Sequence, residues 1–249
     1  MKIIFLGTNG WYDTNTGNTI CVLIRAEKFD VVFDAGMGLA KLDRYILNQD
    51  EKPVYLFLSH FHLDHVYGLH TLTKFRFSRG MTICIPHGTK SAFNTLVNKP
   101  YTKPVVDLPY PVNILELPEE GSKLPFKVEA RALVHTTITF GYRIETDGSI
   151  ISYCPDTGYC ENAVILSRKA DLAIAECALK SGQTNEKWPH LNPEAAARIA
   201  NEAGAASLAL VHFDAATYPA LSDRKASEEA ARRIFKNTTA TVDGMEIDL

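Results

Sequence analysis

At 249 residues with a net charge of -3, the chain is long enough for one α/β domain with a sizeable core and has no basic excess to draw in a polyanion, which disfavours a large nucleic-acid partner. Its apolar runs, such as Leu172–Ala175 and Leu208–Val211, fall far short of a membrane span. Its five cysteines, Cys21, Cys84, Cys154, Cys160 and Cys177, lack C-x-x-C spacing and read as mostly buried free thiols, not as a disulfide framework or a thiolate zinc site.

The chain enters strand Lys2–Leu6 without a signal-peptide pattern, so a cytoplasmic location is expected. Strands Thr19–Arg25 and Val31–Phe33 follow, separated by turn-rich segments that begin with Gly7-Thr8-Asn9-Gly10, and together they read as a β-meander. Asp34-Ala35-Gly36-Met37-Gly38 leads into the amphipathic stretch Leu39–Leu47; its G-x-G lacks the third glycine and distant acid of a dinucleotide site and reads as a tight strand-to-helix turn.

The run Val54–Leu58 follows Pro53 and reads as a buried strand. It opens into Ser59-His60-Phe61-His62-Leu63-Asp64-His65, which packs three imidazoles and a carboxylate into six positions. In α/β folds the loop leaving the carboxyl end of such a strand is where ligands bind. A solvated surface loop is the competing reading, but imidazoles are costly to leave unpaired beside an apolar strand and are the commonest neutral metal ligands. His60 and His62, two apart in an extended loop, face one way. Asp64 and His65 open the predicted helix Val66–Phe77 and point differently, so the motif suits two ions better than one.

Strand Thr82–Ile85, turn Pro86-His87-Gly88 and helix Thr89–Val97 come next, with His70 and His87 assigned no ligand role. Lys99–Pro111, with four prolines and two tyrosines, is expected to be an irregular wall over the site. After strands Val112–Leu117 and Phe126–Leu133 comes His135, a further ligand candidate at a strand end. Thr139–Glu145 and Ser149–Cys154 alternate as two strands around the hairpin signal Asp147-Gly148. The second runs into Pro155-Asp156, where Asp156 is placed to reach the pole of His60–His65. Asp171–Glu176 is another strand. Pro193–Ala203 is a helix with Asn192 as N-cap, and strand Leu208–Val211 ends at His212. A polar helix, Asp223–Phe235, and a closing pair of strands around Asp243-Gly244 complete the chain.

The pattern H-x-H-x-D-H at 60–65, with later acids and histidines at strand ends, resembles the metallo-β-lactamase superfamily, and its ribonuclease Z-like phosphodiesterase branch in particular. The resemblance implies a four-layer αββα sandwich of class α/β over residues 1–249. It implies His60, His62 and His135 on one divalent metal ion, Asp64, His65 and His212 on a second, and Asp156 bridging, with Asp34 as an outer partner. It further implies that Asp64 orients the attacking water, that His190 protonates or stabilises the departing oxygen, and that Glu176 orients His190. Pro155 stands where the family usually has glycine. The nitrogen and oxygen donors fit zinc, with manganese or iron as alternatives. Two such ions lower the pKa of a water held between them and clamp attacking and leaving oxygens, so hydrolysis is the natural reaction.

Bacterial tRNA-processing members of this branch carry a tRNA-gripping arm between the third histidine and the bridging aspartate. Here only 21 positions separate His135 from Asp156, and the predicted hairpin occupies them. The expectation is therefore a compact metal-dependent phosphodiesterase for a small or cyclic phosphodiester, with no membrane association and a homodimer left open. The alternatives are a ribonuclease Z-type tRNA 3′-end endonuclease and a metallo-hydrolase of a thioester or lactone.

Overall fold

The computed structural model describes residues 1–46 and 52–249. In chain order its strands are β1 (Lys2–Gly7), the two-residue β2 (Asn9–Gly10), β3 (Cys21–Arg25), β4 (Asp30–Phe33), β5 (Val54–Phe57), β6 (Met81–Pro86) and β7 (Val112–Leu117). They continue as β8 (Lys127–Ala132), β9 (Phe140–Thr146), β10 (Ser149–Cys154), β11 (Leu172–Glu176), β12 (Leu208–Val211), the two-residue β13 (Phe213–Asp214), β14 (Thr238–Ala240) and β15 (Glu246–Asp248). One sheet runs β15-β1-β3-β4-β5-β6-β7 and the other β14-β12-β11-β10-β9-β8.

Side-chain alternation assigns each strand face to a layer. Ile3, Phe5, Val22, Val31, Phe33 and Phe57 on the first sheet meet Tyr142, Ile144, Ile151, Tyr153 and Ile174 on the second in one apolar core. Phe33 stacks on Tyr153 at 4.7 Å between ring centroids, and removing a ring so enclosed costs about 3–5 kcal/mol. The alternate residues of the first sheet, including Ile4, Leu6, Val32 and Leu56, pack under Leu39 and Leu42, under Val66 of α1 (Leu63–Val66), under Leu69 and Leu72, and under Phe93 of α2 (Lys90–Leu96). Those of the second, including Cys154, Ala173 and Ala175, pack under α3 (Glu161–Ser167) and α4 (Pro193–Ala203). Three cores between four layers make the αββα sandwich, as the sequence led one to expect. The hairpin β9–β10 turns at Asp147-Gly148, both with positive φ, as the dipeptide predicted.

The predicted helix Val66–Phe77 is instead a short α-helical turn, Leu63–Val66, followed by a 3₁₀ helix, Tyr67–Lys74. Backbone contact explains the tightening: a Cβ on Gly68 would meet Gly36 O at 2.2 Å, and the Gly68 N–H donates to Ala35 O at 2.7 Å. The stretch Leu39–Leu47 is likewise a 3₁₀ helix, Met37–Arg44, and its last residue, Leu47, lies outside the described residues. α3 was not anticipated. The closing strands do not pair with each other: β14 adds to β12 in one sheet and β15 to β1 in the other, so Asp243-Gly244 crosses between sheets. No helix among the described residues is long and apolar enough to cross a membrane.

β4 to β7 run parallel, as do β10, β11, β12 and β14. Their carboxyl ends deliver Asp34, Ser59-His60, Asp156, Glu176 and His212 to one edge, as parallel strands do in open α/β sheets. There β2 pairs with β13, joining the loop after β1 to the residues beyond His212.

Candidate metal centre

Three groups of donors lie within 4.8 Å of one another in each set: His60, His62, His135 and Asp156; beside them Asp64, His65 and His212; and, overlapping both, Asp156, His190 and His212. All seven side chains singled out in the sequence are thus brought together. Pro155 does not keep Asp156 away, since its carboxylate is buried with Oδ1 at 3.1 Å from His65 Nε2 and 3.2 Å from His212 Nε2.

The ring orientations follow from the partners behind them. Asp34 Oδ2 accepts from His65 Nδ1 at 2.8 Å, from the Ser59 hydroxyl at 2.8 Å and from Tyr153 OH at 2.6 Å, while Oδ1 accepts from Ser59 N at 2.7 Å. A metal-bound His65 would therefore keep its proton on Nδ1 and turn the Nε2 lone pair to the ion. The Ser59 hydroxyl, having donated to Asp34, accepts from His60 Nδ1 at 3.0 Å, which frees His60 Nε2. That atom and Asp156 Oδ1 are buried without a hydrogen-bond partner, an arrangement costly unless a cation completes it.

Facing ring nitrogens lie 3.2 Å apart between His62 Nδ1 and His135 Nε2, and 3.1 Å apart between His65 Nε2 and His212 Nε2. The edge of a tetrahedron with metal–nitrogen bonds of about 2.0–2.1 Å is about 3.3–3.4 Å, so these separations suit ligands shared by an ion. The residues fit a pair of divalent cations.

The two halves differ electrostatically. Burial disfavours the charged form of His60, His62 and His135, the last pushed down to about 4, so these three stand as neutral donors. Burial acts the same way on His65 and His212, but the Asp156 and Asp64 carboxylates override it and raise both. Burial alone would raise Asp64; His65 and His212 instead hold it well below the usual carboxylate range. A metal ion entering this half displaces protons.

Around the donors, the backbone N–H of Trp11 donates to Asp64 Oδ2 at 2.7 Å. Gly10 lies against His212: a Cβ there would meet the ring Cε1 at 2.5 Å. Trp11, Asp34 and His212 all have positive φ, strain that tends to collect at functional sites. His190 Nδ1 bonds Glu176 Oε1 at 2.6 Å, and its Nε2 lies 4.0 Å from Asp156 Oδ2. Thr157 N and Ala178 N also donate to the Glu176 carboxylate, at 2.7 and 3.0 Å. Burial lowers the His190 pKa, but the Glu176 carboxylate outweighs it and lifts His190 to about 9. His70 and His87 are exposed and away from the cluster, as expected.

A cavity of about 780 Å³ opens over the donors, lined by Trp11, Leu63, Asp64, Trp188, His190 and Asp214 among others. No residue of Lys99–Pro111 lines it, which corrects the expected wall: Tyr110 is buried with its hydroxyl donating to Leu72 O, and Tyr101 lines a separate groove with Tyr67 and His70. Sequence reasoning missed Ser59's hydroxyl, Tyr153, Gly10 and both tryptophans. Only Ser59 carried a signal, as the residue opening the histidine motif.

An αββα sandwich with a buried His/Asp cluster at the shared strand edge defines a metallo-hydrolase. Residues 30–213 match the beta-lactamase superfamily domain, and the chain belongs to that superfamily. Ribonuclease Z of Bacillus velezensis is 26% identical over 309 aligned positions that cover 99% of this chain and 98% of that protein. The probable metallo-hydrolase YhfI of Bacillus subtilis is 28% identical, covering 86% of this chain and 87% of its own. Among solved structures, YhfI from Bacillus subtilis superposes with a TM-score of 0.80 at 21% identity, covering 99% of each chain. Human tRNase Z, short form, superposes at 0.73 and 24% identity, covering 100% of this chain and 99% of that one. Both likenesses are of fold.

Proposed function

We propose that this chain is a dinuclear metal-dependent phosphodiesterase for a small or cyclic phosphodiester, acting as one catalytic domain over residues 1–249 in the cytoplasm. His60, His62 and His135 would hold one ion and Asp64, His65 and His212 the other, with Asp156 within reach of both. Nitrogen and oxygen donors without thiolate favour zinc, with manganese or iron as the alternatives. Bound there, two divalent cations supply Lewis acidity and a water acidic enough to attack near neutral pH. Asp64, fixed by the Trp11 amide, would orient the attacking water. His190, kept protonated by Glu176, gives its proton to the departing oxygen. The observation that carries the reading is this His190–Glu176 pair, a built general acid beside the donor cluster and at the cavity over it.

A second reading, a ribonuclease Z-type tRNA 3′-end endonuclease, draws support from the relative in Bacillus velezensis. Against it, 309 aligned positions compared with 249 residues leave at least 60 positions of the alignment without a counterpart here. The interval from His135 to Asp156 is also taken up by β9 and β10, leaving no length for an arm. The test is a metal-loaded panel of cyclic mononucleotides, bis(p-nitrophenyl) phosphate, a precursor tRNA, and thioester and lactone substrates. Turnover of small diesters above all others is expected. Position-specific removal of a tRNA 3′ trailer, with small diesters nearly untouched, would reverse the order of the two readings.

A further inference from the structure

The chain has two tryptophans, and both line the cavity over the donor cluster. Neither belongs to any of the three apolar cores, so packing stability does not account for them. Trp11 is 65% exposed and sits at φ +71, a conformation rare for a bulky residue. Its backbone is held there by the N–H bond to Asp64 and by the tight turn in which Tyr12 N donates to Gly10 O at 3.0 Å. The indole ring makes an edge contact with Tyr12 at 5.0 Å and lines the cavity over the donors as well as a smaller groove beside Met37 and Tyr67. Trp188, half-buried, packs its ring on His190 at 4.0 Å between centroids, beside the group proposed as the acid.

Charge narrows what these rings are for. Asp64, Asp156 and Asp214 line the cavity, and among the described residues no Lys or Arg does. A substrate phosphate seated at the donor cluster would meet the cations held there; a second phosphate elsewhere in the cavity would find no Lys or Arg among the described residues, and the one protonated side chain assigned there, His190, is already committed to the departing oxygen. Flat, uncharged rings are what such a lining accepts, since every nucleobase offers a π-face to an aromatic side chain whatever its sequence.

We propose that Trp11 and Trp188 form a recognition site for a planar, uncharged ring, so that the natural diester carries a nucleobase or a comparable aromatic group and no second phosphate. The substrate part of this inference rests on the phosphodiesterase reading. The ring site itself does not, because the same two tryptophans provide the whole of the protein's indole emission and report binding without turnover.

The experiment titrates the zinc-loaded full chain, and single-reporter variants Trp11→Phe and Trp188→Phe, with adenosine 5′-monophosphate, ribose 5-phosphate and adenosine 3′,5′-bisphosphate. The monophosphate should quench both reporters, ribose 5-phosphate should bind far more weakly, and the bisphosphate should bind no tighter than the monophosphate. Trp11→Ala should weaken the monophosphate by about 5- to 150-fold, the span that loss of one base-stacking ring covers, with Trp11→Phe recovering most of it. Equal affinity for the adenosine and ribose phosphates, an unquenched indole, or bisphosphate binding tenfold tighter would overturn the proposal. In kinetics, Trp11→Ala should raise KM for adenosine 2′,3′-cyclic phosphate more than for glycerol 1,2-cyclic phosphate; an equal rise counts against the ring site. Absence of all diester turnover, with base-selective quenching intact, would instead refute the phosphodiesterase reading and leave the ring site standing.

Discussion

The Glu176→Gln variant tests the assigned acid by moving its proton, not its ring. In the wild type the Glu176 carboxylate lifts His190 from 6.5 to about 9 against the opposing effect of burial. A group raised in this way is protonated below its pKa and loses its proton as pH climbs through it, so an acid limb on His190 fails only above about pH 9. With the charge removed, burial still lowers His190 and the Asp156 carboxylate still raises it, so the imidazole returns towards its ordinary value of about 6.5. At pH 8 the protonated fraction then drops from about 0.9 to about 0.03, a loss of about 30-fold. At pH 6, if the ring stays near 6.5, it drops only to about 0.76. The assay is kcat/KM against pH on a diester with a poor, alkoxide-like leaving group, with bis(p-nitrophenyl) phosphate as the control that needs little protonation. The amide cannot satisfy both Thr157 N and Ala178 N, which leaves one buried donor unpaired at about 1–3 kcal/mol, so a melting curve must confirm a folded variant. An equal loss at pH 6 and pH 8, or on good and poor leaving groups alike, would refute the reasoning. His190→Ala marks the ceiling, a loss of about 10²–10⁴-fold.

Elemental analysis after dialysis and reloading should find two metal ions per chain, falling towards one or none in His62→Ala or Asp156→Ala; zero in the wild type under zinc, manganese and iron would dismiss the centre. Asp34→Asn keeps a side chain that tolerates the positive φ of +56 but loses an acceptor behind His65. Competition with a chelator should show metal affinity lower by about 10–100-fold, and wild-type affinity would mean that Asp34 serves folding alone. Gly10→Ala sets a methyl 2.5 Å from the His212 ring; stoichiometry should drop towards one ion, whereas two tightly held ions would show that the ring has room to move.

The strands and the first four donors were legible because each is written locally. Val54–Phe57 is a short apolar run bounded by Pro53 and a polar cluster, and Asn192-Pro193 caps α4 as read, with Asn192 Oδ1 accepting from Ala195 N at 2.8 Å. Elements shaped by backbone contact were not legible. Nothing in Tyr67–Lys74 itself says that Gly68 must lie on Ala35 and Gly36 and tighten the helix. The final strands went to different sheets because pairing partners some 240 residues away, such as Lys2 with Asp248, leave no local trace.

The same division explains the site. Donors announce themselves by residue type, since histidine and aspartate at strand ends are rarely idle, but what orients them is written in ordinary residues. Ser59, Tyr153 and the Trp11 amide belong to three distant segments, and they converge only because β4, β5 and β10 end at one edge and β2 closes against β13. The 99–111 segment misled for a converse reason: its prolines establish irregularity but carry no information about which edge the loop covers. The wall it was expected to supply comes instead from other segments, those carrying Trp11, Leu63, Trp188, Asp214 and Thr217. In the proposed reading, substrate selection rests on single side chains whose meaning depends on the fold, whereas the donor types themselves can be read from the sequence.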